Sequence, residues 1–185
     1  MGAICYNKPI ILYQKNVEMY IKTEGSVEMK KMLLSMKPHW RDKIMSGEKI
    51  YEYRTRFADE AVIAILYVSK PVYAVTGVLY LGKKINLQDW KDLYREDPEL
   101  VDRFKAYESR GNKVAMPILA YQETNEISLK ELRDNVEGFV APQSYNYIRE
   151  GSELEQYLSA HLVQGIKKEN DIEGRGIDEI CRNYH

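Results

Sequence analysis

The sequence predicts one mixed α+β domain, with strands at its centre and helices at its periphery. Three observations predict it. Residues 61–69 (AVIAILYVS) and 72–81 (VYAVTGVLYL) are apolar runs of strand length, rich in β-branched residues and separated by Lys70 and Pro71. Residues 49–54 (KIYEYR) switch to a period of two. Helix-start chemistry recurs at Pro38, at Asp97 with Pro98, at Ser128 with Glu131 and at Ser152 with Glu155. At 185 residues and 44% hydrophobic, the chain fits one sizeable core with appendages.

Taken in order, residues 1–30 form an N-terminal extension, expected as either an added hairpin or a leader before a start at Met29. Their apolar part, 9–13, is too short and lacks the basic flank of a signal peptide, and Tyr6 spoils a myristoylation motif. No run approaches the ~20 apolar residues of a membrane helix. Residues 32–36 read as a strand, too short for a stable helix. Pro38 suits a first helical position, Trp40 and Ile44 share its inward face, and Gly47 falls just past its end. In the next strand Lys49, Tyr51 and Tyr53 point one way and Ile50, Glu52 and Arg54 the other. Lys49 and Glu52 therefore converge only if Lys49 still lies in the glycine turn or in a bulge.

The run 61–69 is expected as the most buried strand. Gly77, inside the following strand, marks a bulge, a close approach or, as favoured here, a corner. Asn86 is expected to cap a helix over 87–96, and Asp97 to cap a second over 98–109, ending near Gly111 with Leu100, Phe104 and Tyr107 facing the sheet. Residues 113–122 read as a strand that Pro117 turns into an edge or a bulge. A short helix follows from Ser128 to Asp134, then a strand over 142–148 expected beside the 49–54 strand, then a helix over 153–162. The domain thus spans 31–162, and 163–185 form a polar, mobile C-terminal tail.

Net charge is −1, so the chain as a whole is no polycation. Residues 30–56 nevertheless hold eight Lys or Arg against three acids, which suggests a local anion-facing patch. Cys5 and Cys181 lie far apart without metal-type spacing and read as free thiols, which favours a cytoplasmic protein. His39, His161 and His185 are scattered, so no metal site is expected, and His39 reads as a helix-surface residue.

Gly47, Lys49, Glu52 and Arg54 supply the pattern G-x-K-x-x-E-x-R, preceded by Ser35, Met36, Lys37 and Pro38 as S-x-K-P. Later, Ala141, Pro142, Gln143, Ser144 and Tyr145 follow in order like a closing-strand motif. Over roughly 32–148 the chain resembles the ASCH (activating signal cointegrator homology) domain family. The resemblance implies a PUA-like β-barrel with peripheral helices, and RNA or a nucleotide-like ligand bound beside the signature. No cofactor is implied, and protein partners are not indicated.

The candidate binding residues are Lys37, Lys49, Glu52, Arg54, Tyr51, Gln143 and Tyr145. Lys37, Lys49 and Arg54 suit phosphate, Arg41 and Lys43 a positive rim. Tyr51, Tyr53, Tyr145 and Tyr147 offer faces for an unstacked base. A catalytic alternative is a hydrolase of modified nucleosides or of RNA, with Lys49 and Glu52 as candidates. Similar small amidohydrolases carry Thr where Glu52 stands. A Glu52–Lys49 pair is expected to keep the lysine protonated, which suits binding better than nucleophilic attack.

Overall fold

The structure, a computed structural model, describes residues 29–172 and 180–182. The expected N-terminal extension, Cys5 and His185 lie outside the described residues. Eight strands and five helices are formed within them: β1 (Lys31–Met36), α1 (Pro38–Met45), β2 (Tyr51–Arg54), β3 (Val62–Val68), β4 (Ala74–Leu81), β5 (Ile85–Asn86), α2 (Leu87–Leu93), α3 (Pro98–Ser109), β6 (Val114–Ser128), α4 (Leu129–Asn135), β7 (Tyr145–Tyr147), α5 (Glu153–His161) and β8 (Gln164–Glu169).

The strands form one curled sheet in the order β2-β6-β4-β3-β1-β7, with β5 and β8 added along β6. Only β1 and β3 pair in parallel, and the other neighbours are antiparallel. The apolar runs split their side chains between two cores. Met32, Leu34 and Met36 of β1, with Val62, Ala64, Leu66 and Val68 of β3, enter the inner core. Leu33, Ile65 and Tyr67 point outward under α4 and α5, beside Leu132 and Leu158. This is why neither strand alternates in polarity: both faces are buried. A third cluster packs Leu100, Phe104 and Tyr107 of α3 with Trp90 of α2 over Ile50, Tyr51 and Ala115. Lys31 pairs with Glu155 at 2.7 Å, tying α5 to β1.

The caps act as read from the sequence at three helices. Asp97 accepts from the Leu100 N–H at 3.1 Å, Ser128 and Glu131 form a reciprocal capping box, and Ser152 accepts from the Glu155 N–H at 3.2 Å. Asn86 behaves differently. Its side chain donates to Asp89 and caps no backbone group, and α2 stops at Leu93 instead of running to 96.

Four further expectations are corrected. The late strand β7 pairs with β1, not β2 (Leu34 opposite Tyr145), while β2 pairs with the start of β6 and ends the sheet. Strand β6 runs on from 122 to Ser128. Its second half is gripped by β4 on one side and β8 on the other. Pro117, in the first half, lies opposite Tyr51 of β2 in a central strand and not at an edge, close to a bulge where the register shifts against β4 at Tyr80 and Leu81. Residues 164–169 of the expected tail form β8, whose wholly exposed side chains carry no apolar alternation to announce a strand. Gly77 sits at a bulge, with register shifts against both β3 and β6, and also at a close approach. A Cβ there would lie 2.6 Å from Tyr121 Cε2 and 3.0 Å from the Gln122 carbonyl oxygen.

Among the described residues no helix is long and apolar enough to cross a membrane. Since the Tyr121 ring is buried and backbone lies behind it, Gly77→Ala is expected to lower stability by about 1–3 kcal/mol. Urea unfolding followed by circular dichroism measures this.

Candidate functional site

The site grows out of the link between α1 and β2. Pro38 starts α1 and Lys37, extended at φ −76°, occupies the cap position. Ile44 is buried in the inner core and Trp40 packs against it, which sets the roll of the helix. Gly47 takes φ +78°, and the chain folds back so that the Lys49 N–H donates to the Lys43 carbonyl at 2.9 Å. Lys49 therefore lies ahead of β2, in the turn, and escapes the strand alternation that would have separated it from Glu52.

Its ammonium reaches Glu52 Oε2 at 3.2 Å and donates to the Tyr51 carbonyl at 2.5 Å. The rings of Trp40 and Tyr53 each lie 5.1 Å from it, a cation–π arrangement on two sides. Glu52 and Arg54 are two apart in β2 and share a face, so Arg54 Nε donates to Glu52 Oε1 at 2.8 Å. One carboxylate thus bridges two cations. Arg54 Nη2 then donates to the Ser35 carbonyl at 2.9 Å, and Nη1 lies 3.5 Å from Ser144 Oγ.

Beside this triad opens a cleft of about 920 Å³. Three separated segments converge on it: Ser35, Met36 and Lys37; Glu52 and Arg54; and the run Ala141 to Tyr145. Of the candidate residues, Lys37, Glu52, Arg54, Gln143 and Tyr145 line it. Lys49 does not. At 5% exposure it stands behind Glu52. Tyr51 is also absent from the lining. It is buried against Trp90, edge-on at 5.4 Å, because its face of β2 is the one α2 and α3 cover. Tyr53 lines the cleft and Tyr145 packs on Phe57 at 4.9 Å, while Tyr147 faces a separate hollow near Lys30. The expected rim cations lie outside the lining, Arg41 against Asp42 at 2.6 Å and Lys43 against Glu48 at 3.8 Å. His39 is exposed beside Trp40, as expected of a helix-surface residue.

Sequence reasoning missed several lining residues. Trp40 was read only as a packing residue, and Tyr67, Tyr73 and Arg133 had no motif to mark them. Arg56 was visible only as part of the basic stretch.

The cleft is electropositive: Lys37, Arg54, Arg56 and Arg133 line it against the single carboxylate of Glu52. Lys37, Arg56 and Arg133 are exposed and have no ion-pair partner among the described residues. Behind the wall, burial pulls the Lys49 ammonium below its ordinary pKa; Glu52 opposes this and Arg54 adds to it. The upward pull expected from Glu52 is present but is outweighed by burial. Tyr53, whose hydroxyl accepts the Cys181 N–H at 2.7 Å, is pushed well above its ordinary value by burial. Among the described residues no three metal-ligating side chains come together.

No family model matches the chain. A Zymomonas mobilis protein described as an ASCH domain-containing ribonuclease is 27% identical over 128 residues, covering 66% of this chain and 86% of that protein. The crystal structure of ASCH from Zymomonas mobilis superposes with a TM-score of 0.54 at 24% identity, covering 70% of this chain and 94% of the other. These likenesses support the resemblance to the ASCH domain family. A serine-to-alanine variant of the Zymomonas ASCH protein gives the same TM-score and identity over 72% of this chain and 97% of that one. The curled sheet with peripheral helices fits the PUA-like barrel that the resemblance implies.

Two outcomes test this electrostatic description of the cleft. Glu52→Gln leaves two largely buried cations without their shared counter-charge and is expected to cost about 3–5 kcal/mol in a denaturant titration. For Lys49, the unfolded chain binds more protons than the folded one between the lowered folded pKa and the ordinary value of 10.5. Wild type should therefore gain stability relative to Lys49→Met as pH rises through that window. Unfolding midpoints of both proteins across pH measure this.

Proposed function

We propose that this chain binds single-stranded RNA, or a nucleotide-like ligand, in the cleft beside the Lys49–Glu52–Arg54 triad. The observation that carries this reading is the pairing of exposed, unpartnered cations with aromatic side chains in one open groove. Lys37 and Arg56 supply phosphate contacts, while Trp40, Tyr53 and Tyr145 supply ring surface for an unstacked base. Gln143 and Ser144 add polar groups able to read a base edge or a ribose hydroxyl. The ribonuclease description of the Zymomonas relative supports RNA as the ligand class. A cytoplasmic location is part of the same reading, supported by the free Cys181 thiol, which burial pushes up to about 12.

A second reading, turnover of RNA or of a modified nucleoside, is favoured by one specific observation. Lys49 is desolvated beside Arg54, the setting that frees a lysine to act as base or nucleophile, and Glu52 is within contact distance. The relative's description favours RNA over a free nucleoside as the substrate.

Fluorescence anisotropy with a labelled single-stranded RNA octamer tests binding. Lys37→Ala and Arg56→Ala should each weaken it and reduce the slope of log affinity against log salt by about 0.7. Affinity and slope unchanged in both variants would refute the cleft as the binding site. Incubation with RNA, and separately with acetylated nucleosides, distinguishes the second reading. Product formed by wild type and lost in Lys49→Met would establish an enzyme, and no product from either substrate would refute the second reading.

A further inference from the structure

Resting on the RNA reading, we propose that the part of the cleft walled by the turn before β4 and by α4 is a second nucleotide subsite. In it Tyr73 stacks a base and Arg133 takes the adjoining phosphate. The ligand is then a strand of more than one nucleotide and not a lone nucleotide.

Neither residue belongs to the three converging segments, so the subsite stands on its own observations. Tyr73 lines the cleft and is 43% exposed, and among the other described tyrosines Tyr147 alone is also exposed. Its backbone is left-handed at φ +50°, uncommon for a bulky residue and maintained only where neighbours hold it. Here the Tyr73 carbonyl accepts the Leu129 N–H at 2.7 Å, at the first residue of α4, and the Tyr73 N–H donates to Ser69 at 3.4 Å. The turn is thereby locked to α4 with its ring presented to the cleft.

Arg133 lies in the last turn of that same short helix, exposed and without an ion-pair partner among the described residues. A cation in a last helical turn complements the helix dipole, which accounts for its charge. That role does not account for an exposed ring lining the same cleft. Both line the cleft together with Tyr67, whose hydroxyl burial raises, Arg133 lowers and Tyr73 raises further. The volume of about 920 Å³ lies near the upper end of ordinary ligand pockets, so there is room beyond the triad for a second nucleotide. A planar guanidinium next to an aromatic face suits a phosphate and its base.

The test compares the full chain with Tyr73→Asn, which removes the ring yet tolerates a left-handed backbone, with Tyr73→Trp, and with Arg133→Gln. The probes are a labelled RNA octamer and cytidine 5′-monophosphate as competitor, each measured across salt concentrations. Tyr73→Asn is expected to lower the octamer-to-mononucleotide affinity ratio by about tenfold, and Tyr73→Trp to restore it. Arg133→Gln should reduce the octamer salt slope by about 0.7. Equal losses on both probes, or an unaltered octamer affinity and slope, would overturn the subsite while leaving the RNA reading standing. Failure of wild type to bind the octamer would overturn both.

Discussion

Arg54 donates to the Ser35 carbonyl of β1 from the far end of a sheet whose backbone order places β2 and β1 on opposite flanks. Among the described residues no ladder joins β2 to β7, so the curled sheet has a seam there. Side chains span it: the Arg54 guanidinium reaches Ser35 and Ser144, and Phe57 meets Tyr145. A seam closed by backbone pairing would leave no room for a ligand. One closed by a guanidinium keeps both a defined width and an open mouth.

That arrangement makes the charge triad both structural and chemical. Arg54 spans the gap only because Glu52 fixes its Nε edge, and Glu52 is fixed in turn by Lys49. Removing charges from water is costly, and here mutual neutralisation is incomplete: two cations share one carboxylate. The burial of Lys49 between Trp40 and Tyr53 offsets part of that through the rings' negative faces. The C-terminal residues contribute from behind. Ile180 and Cys181 are buried against Tyr53 and Tyr107, so the back of the cage is made by a segment far from the signature in sequence.

Much of the fold was legible because it is written in local chemistry. Pro38, Asp97, Ser128 and Ser152 announce helices through backbone groups within a turn of themselves, and the apolar runs at β3 and β4 admit little but buried strands. The less legible elements depend on distant partners. The second half of β6 and all of β8 are strands because they pair with one another, and β8 exposes every side chain. Asn86 has the right identity for a cap, yet Asp89 captures its amide.

By itself the sequence determined most of the element types, the turn at Gly47 and the identity of the lysine, glutamate and arginine that meet at the site. Their spacing follows from the glycine turn and from the two-residue repeat of β2, both of which are local. Only the tertiary structure decided which of these groups a ligand can touch. Lys49 and Tyr51 are chemically suited to a cleft but lie behind its wall, whereas Tyr73 and Arg133, brought in by a turn and a helix with no motif, form part of it. The reason is that accessibility is a property of packing between segments far apart in the chain, and no local pattern encodes which face of a strand its neighbours will cover.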